Sequence, residues 1–205
     1  MTGSWNVNVV TNGMPQKVAT AFSALAEQLI GAEYEPIAYL GSQLVNGTNH
    51  AVLAKQILTT GRDTTNIVVI VFNEKPGAME DTLVSIDRVV EGGEALGGIK
   101  LDPQVEIPAD AKGAWDEAFE GFVGSTVTPF ALLGTQVVKG VNYIFAATAT
   151  PVVPNAVAKA CIVTVNPMAG TMAIEDMLTT KYENSLGYSF TWLKNGLGKP
   201  LGEWP

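Results

Sequence analysis

The side chains best suited to act as base or nucleophile near neutral pH are one histidine, His50, and one cysteine, Cys161, in a chain of 205 residues. A Cys–His pair would do thiol chemistry, but these two stand in different halves of the chain. Cys161 lies in Lys159-Ala-Cys-Ile-Val-Thr-Val165, an apolar β-branched run that reads as a buried strand. One thiol makes no internal disulfide. Glu74, Glu80, Asp81 and Asp87 lack the glycine spacing of a calcium loop and read as solvated faces, and no Cys/His cluster has metal-ligand spacing. Gly92-Gly93 does not follow a strand into a helix, so no phosphate cradle is expected. The expectation is a protein that is not an enzyme and that carries no metal or cofactor.

What does stand out is an amide-and-glycine pattern that occurs twice. Leu40-Gly-Ser-Gln-Leu-Val-Asn-Gly-Thr-Asn49 and Leu133-Gly-Thr-Gln-Val-Val-Lys-Gly-Val-Asn142 both read Leu-Gly-(Ser/Thr)-Gln-x-Val-x-Gly-x-Asn, at an offset of 93 residues. With no gap, that offset also pairs Gly31 with Gly124, Pro36 with Pro129, Asn73 with Asn166, Gly77 with Gly170 and Met79 with Met172. The period is too long for a solenoid and suits a duplicated small domain. Each copy of the motif sits between two apolar, β-rich runs, as a polar turn between two strands. Asn46-Gly47 is a hairpin signal by itself, so the turn could be purely structural. Asn46-Gly-Thr48 also matches a glycosylation sequon, which chance explains.

The elements around the motif repeat as well. Ser4–Val10 alternates as a first strand, and Asn12 or a neighbour is positioned to cap a helix whose first turn holds Pro15. Val18, Phe22, Leu25, Leu29 and Ile30 form its apolar face, and Gly31 stops it. Strands are expected over 34–40, 49–58, 66–73 and 82–90, with a turn at Gln43–Gly47. Glu91–Gly98 holds four glycines and reads as a linker. The second copy has a strand over 99–107 and a helix capped by Asp110. That helix has Ala114, Trp115, Ala118, Phe119, Phe122 and Val123 on its apolar face. Strands over 127–133, 142–150, 158–165 and 172–180 follow, with the turn at Gln136–Gly140. Residues 181–205 are a tail in which Gly187–Leu193 reads as an extra strand. The expected fold is α+β with two tandem domains, 1–92 and 98–205, each a single helix on a four- to five-stranded antiparallel sheet.

Twelve basic against twenty acidic residues give a net charge of −8. With the basic residues scattered singly, nucleic acid and anionic membranes are not expected partners. No stretch is apolar enough for a membrane span, and no signal peptide is visible. A cytoplasmic protein or a mature secreted one fits equally. His50 corresponds to Tyr143 in the repeat, so it reads as a packing or rim position.

Residues 34–50, with Gln43-Leu-Val-Asn-Gly47, resemble the cystatin/stefin segment that leads into its Gln-Val-Val-Ala-Gly loop and on to Thr-Asn-Tyr. The second copy, Gln136-Val-Val-Lys-Gly-Val-Asn-Tyr143, is similar to it in more positions. The resemblance covers about residues 5–90 and 99–180 and implies two cystatin-like domains. It further implies reversible inhibition of papain-like cysteine proteases by a three-part wedge. Carried over, the first hairpin is Gln43, Leu44, Val45, Asn46 and Gly47 in one copy, and Gln136, Val137, Val138, Lys139 and Gly140 in the other. Gly13 corresponds to the trunk glycine. The second hairpins, Glu74–Asp81 and Asn166–Gly170, hold Pro76 and Pro167 but neither Trp nor Leu-Pro. That departure keeps open a non-inhibitory binding or structural module on the same fold. The implied partner is a protein, and the chain itself a monomer or a dimer swapped through the hairpins at Val45 and Val138.

Overall fold

A computed structural model describes residues 3–59, 64–78, 81–93, 95–178 and 192–193. The chain is α+β, with two antiparallel sheets and two helices. It divides into two compact units, Met1–Gly93 and Glu94–Pro205.

The first unit comprises β1 (Trp5–Val10), α1 (Gln16–Gln28), β2 (Ala32–Val45), β3 (Gly47–Leu58), β4 (Thr65–Glu74) and β5 (Thr82–Glu91). Its strands lie in sequence order, each antiparallel to the next. Val18, Phe22 and Leu25 recur at helical spacing and bury the inner face of α1. They meet Tyr39, Val52, Ala54, Val68, Ile70 and Phe72 from the sheet. Burying Phe22 and Leu25 contributes about 1.5–3 kcal/mol each.

Two expectations for this helix fail. Leu29 is already extended, and Ile30 is fully exposed instead of lying on the apolar face. The chain reverses at Gly31, whose positive φ of 93° suits glycine, and enters β2 directly. At the other end Pro15 occupies the cap position and no side chain caps the helix, so Asn12 does not serve there.

The second unit comprises β6 (Ile99–Gln104), α2 (Ala109–Ala118), β7 (Ser125–Val138), β8 (Gly140–Pro151), β9 (Lys159–Asn166) and β10 (Thr171–Asp176). The two-residue β11 (Trp192–Leu193) pairs with Thr171 and Met172 at the β10 edge. The rest of the expected tail strand, and residues 179–180, lie outside the described residues. Pro108 takes the cap of α2, so Asp110 sits within the first turn, where its charge favours the helix dipole without capping. Trp115 stacks on Phe119 at 4.2 Å and meets the edge of Phe145 at 5.0 Å. Phe119 and Phe122 pack on the core from beyond the helix end, whereas Val123 is exposed.

The two units carry the same irregularity. In β2 the register slips between Pro36 and Ala38 and again between Tyr39 and Gly41. In β7 it slips between Pro129 and Ala131 and between Leu132 and Gly134. The bulged strand is crossed closely by its neighbour. A Cβ on Gly41 would lie 2.2 Å from the Asn6 carbonyl oxygen, and one on Gly134 would lie 2.3 Å from that of Lys100. This close approach is why Leu-Gly opens the motif twice.

Candidate functional site

The Gln-x-Val-x-Gly stretches are strand almost to their tips, not the polar loops expected. Gln43 pairs with Asn49, Leu44 with Thr48 and Val45 with Gly47, which leaves Asn46 alone at the turn. Gln136, Val137 and Val138 pair likewise with Asn142, Val141 and Gly140, around Lys139. Gly47 and Gly140 have φ of 103° and 87°. A Cβ on Gly47 would meet the Glu74 carbonyl oxygen at 2.4 Å, and one on Gly140 would meet Met168 Cβ at 2.7 Å. Conformation and space both require glycine. Strand alternation then throws Leu44 and Val137 outward, 73 % and 72 % exposed, and leaves Val138 exposed as well. Large apolar side chains standing in water on a tight hairpin are suited to contact a partner.

Beneath each tip runs a row of three amides, one from each of three adjacent strands. Asn73 Nδ2 donates to Asn49 Oδ1 at 2.7 Å, Asn49 Nδ2 to Gln43 Oε1 at 3.0 Å, and Gln43 Nε2 to the Gly3 carbonyl at 2.9 Å. In the second unit Asn166 donates to Asn142 at 2.8 Å, Asn142 to Gln136 at 2.8 Å, and Gln136 to the Gly97 carbonyl at 2.7 Å. The row ties three segments into one loop end: the chain before the first strand, the hairpin, and the β4–β5 or β9–β10 connection. Gly3 N–H also donates to the Leu44 carbonyl at 2.9 Å. The residue that joins the first hairpin from the N-terminal side is therefore Gly3. Gly13 lies past the far end of β1, where Val10 pairs with Tyr39, and is not brought to Gln43–Gly47. Its place just before the helix suggested a trunk. The signal for Gly3 was the strand that follows it.

The third segments differ. In the second unit Ala169 N–H donates to Asn166 Oδ1 at 2.9 Å, and Asn166 Nδ2 also reaches the Lys139 carbonyl at 3.3 Å. Met168, 70 % exposed, lies against Gly140. In the first unit this connection is longer, with Asn73 paired to Thr82 where Asn166 is paired to Thr171, so the 93-residue offset does not carry through it. Asn73 Oδ1, the counterpart acceptor, is buried without a hydrogen bond.

Charge marks the first unit instead. Glu74, expected on a solvated face, binds Lys17 of α1 and His50 of β3. The His50 ring lies between Tyr39 and Phe72, at centroid distances of 6.0 and 5.6 Å. Its Nδ1 is 3.1 Å from the Tyr39 hydroxyl and its Nε2 is 3.3 Å from Glu74 Oε2. The neutral tautomer protonated at Nε2 satisfies both, accepting from tyrosine and donating to the carboxylate. The hydrogen bond from Lys17, opposed by partial desolvation and aided by His50, holds the Glu74 carboxyl below its ordinary value. Burial pushes the Tyr39 phenol up, and a hydrogen bond with Ser42 works against it.

A cleft of about 290 Å³ opens beside this group, lined by Lys17, Val18, His50, Phe72, Glu74 and Gly77. That is at the lower limit for small-molecule sites, about 300–1,000 Å³. In the second unit the positions of His50 and Glu74 hold Tyr143 and Pro167, and Tyr143 stacks on Phe145. Cys161 is buried in β9, with its thiol pushed up to about 12 chiefly by burial, so it is no nucleophile. Among the described residues, no three His, Cys, Asp or Glu side chains group as a metal site. Among them too, no helix is long and apolar enough to cross a membrane.

Comparison with protein-family models, with curated proteins and with solved structures finds no match to this chain.

Proposed function

We propose that the chain is a tandem of cystatin-like units and that it inhibits papain-like cysteine proteases through its loop ends. The observation that carries this is the exposure of Leu44, Val137 and Val138 at hairpin tips that glycine geometry and the amide rows hold in one shape. Binding of this kind needs no chemistry. The hairpin enters a preformed cleft with its apolar side chains, and the fixed backbone lowers the ordering cost of association. The strand order of each sheet and the single helix before the motif strand support the same reading. The test is a titration of papain activity with the full chain. Inhibition at micromolar or lower concentration is the expected result, and full activity at high micromolar concentration rejects the proposal.

One observation favours a second reading, a protein-binding module that inhibits nothing. The third segments carry Lys75-Pro76 and Pro167-Met168 where the resemblance calls for Trp or Leu-Pro. A partner other than a protease that binds the same hairpins, with papain unaffected, is the outcome that reading predicts.

A further inference from the structure

Resting on that reading, we propose that the two loop ends are unequal. The second unit's is the binding one, fitted to a protein cleft with apolar walls, and the first contributes little. Two independent observations lead there. The first is surface chemistry. The loop end of the second unit exposes Val137 and Val138 on the hairpin, Met168 on the third segment, and Leu96 beside the Gly97 carbonyl that Gln136 grips. Its one charged tip residue is Lys139. The matching part of the first unit exposes Leu44 as its only large apolar side chain among the described residues. Asn46 stands at the position of Lys139, and the third segment of this unit exposes Lys75. A cleft lined by apolar groups, with a neutral or acidic rim facing Lys139, therefore fits one end and would have to desolvate a lysine at the other.

The second observation is bracing. In the second unit Asn166 holds the Ala169 amide and the Lys139 carbonyl as well as Asn142, so the hairpin and the third segment are fixed to one side chain. In the first unit the connection is longer, from Asn73 to Thr82, and Asn73 Oδ1 is left without a partner. The better-braced end loses less freedom on binding.

The experiment is inhibition of papain by the full chain and by single variants at the exposed tips, where aspartate leaves the core untouched. Val137→Asp and Met168→Asp should each weaken inhibition by at least about 30-fold, the scale of a central contact residue, whereas Leu44→Asp should change it by less than about 3-fold. Lys75→Met should strengthen the contribution of the first unit. Active-site titration should end at one equivalent of papain per chain. Equal losses from Leu44→Asp and Val137→Asp, or a two-equivalent endpoint, overturn the inequality while leaving inhibition in place. A wild-type chain that does not inhibit papain overturns the functional reading, and the inequality falls with it. Thermal midpoints of the variants, unchanged from wild type, separate lost contact from lost fold.

Discussion

Asn142 Nδ2 donates to Gln136 Oε1 at 2.8 Å, and 93 positions earlier Asn49 makes the same bond to Gln43 at 3.0 Å. These pairs form the third cross-strand pair below each hairpin tip and pass the connection on, to Asn166 or Asn73 on one side and to Gly97 or Gly3 on the other. Replacing Asn142 by Leu strands an amide group on each side of it. Leaving a half-buried partner unsatisfied costs about 1–3 kcal/mol, more than the added apolar surface at this partly exposed position returns. The expected outcome is a destabilised second unit, with faster hydrogen exchange around Gly97–Ile99. An exchange rate there equal to wild type would show that the row does not hold this segment.

Glu74 sets a pH dependence with a definite sign. Its folded-state value is lowered from 4.5, mainly by the hydrogen bond from Lys17. A depressed carboxylate stabilises the fold above its unfolded value and loses that contribution as pH falls through the folded value. The stability difference between wild type and Glu74→Gln should therefore shrink progressively as pH falls below about 4.5. Denaturant midpoints of the pair across pH 3–5 measure it. A difference that grows on acidification over that range would contradict the assignment.

Much of this was legible in the sequence, for physical reasons that differ by feature. The Leu-Gly-x-Gln-x-Val-x-Gly-x-Asn repeat marked both hairpins because the left-handed turns at Gly47 and Gly140 and the close crossings at Gly41 and Gly134 constrain residue type strongly. Helix faces were legible through Val18, Phe22 and Leu25, but their ends were not. Ile30 continues the apolar period, yet the positive φ of Gly31 turns the chain away first. The amide rows were hidden because Asn49 and Asn73 lie 24 positions apart and meet only through strand register. Glu74 read as solvated for the same reason: its partner Lys17 is 57 positions away on the helix.

Cys161 predicts an inert thiol. With its value near 12 and its side chain buried in β9, the thiolate fraction at pH 8 is negligible. A thiol reagent such as DTNB should leave the native chain unlabelled and react with one equivalent after denaturation. Rapid native labelling would place Cys161 outside the core.

The central claim is that the exposed hairpin tips bind a papain-like cleft. Its most direct measurement compares the papain inhibition constant of the wild-type chain with that of a double variant, Leu44→Asp with Val137→Asp. Both residues are exposed, so the folds should survive the change. The account predicts micromolar or tighter inhibition by the wild type and inhibition at least about 30-fold weaker by the double variant. Equal inhibition by both chains, or none by the wild type at high micromolar concentration, would contradict it.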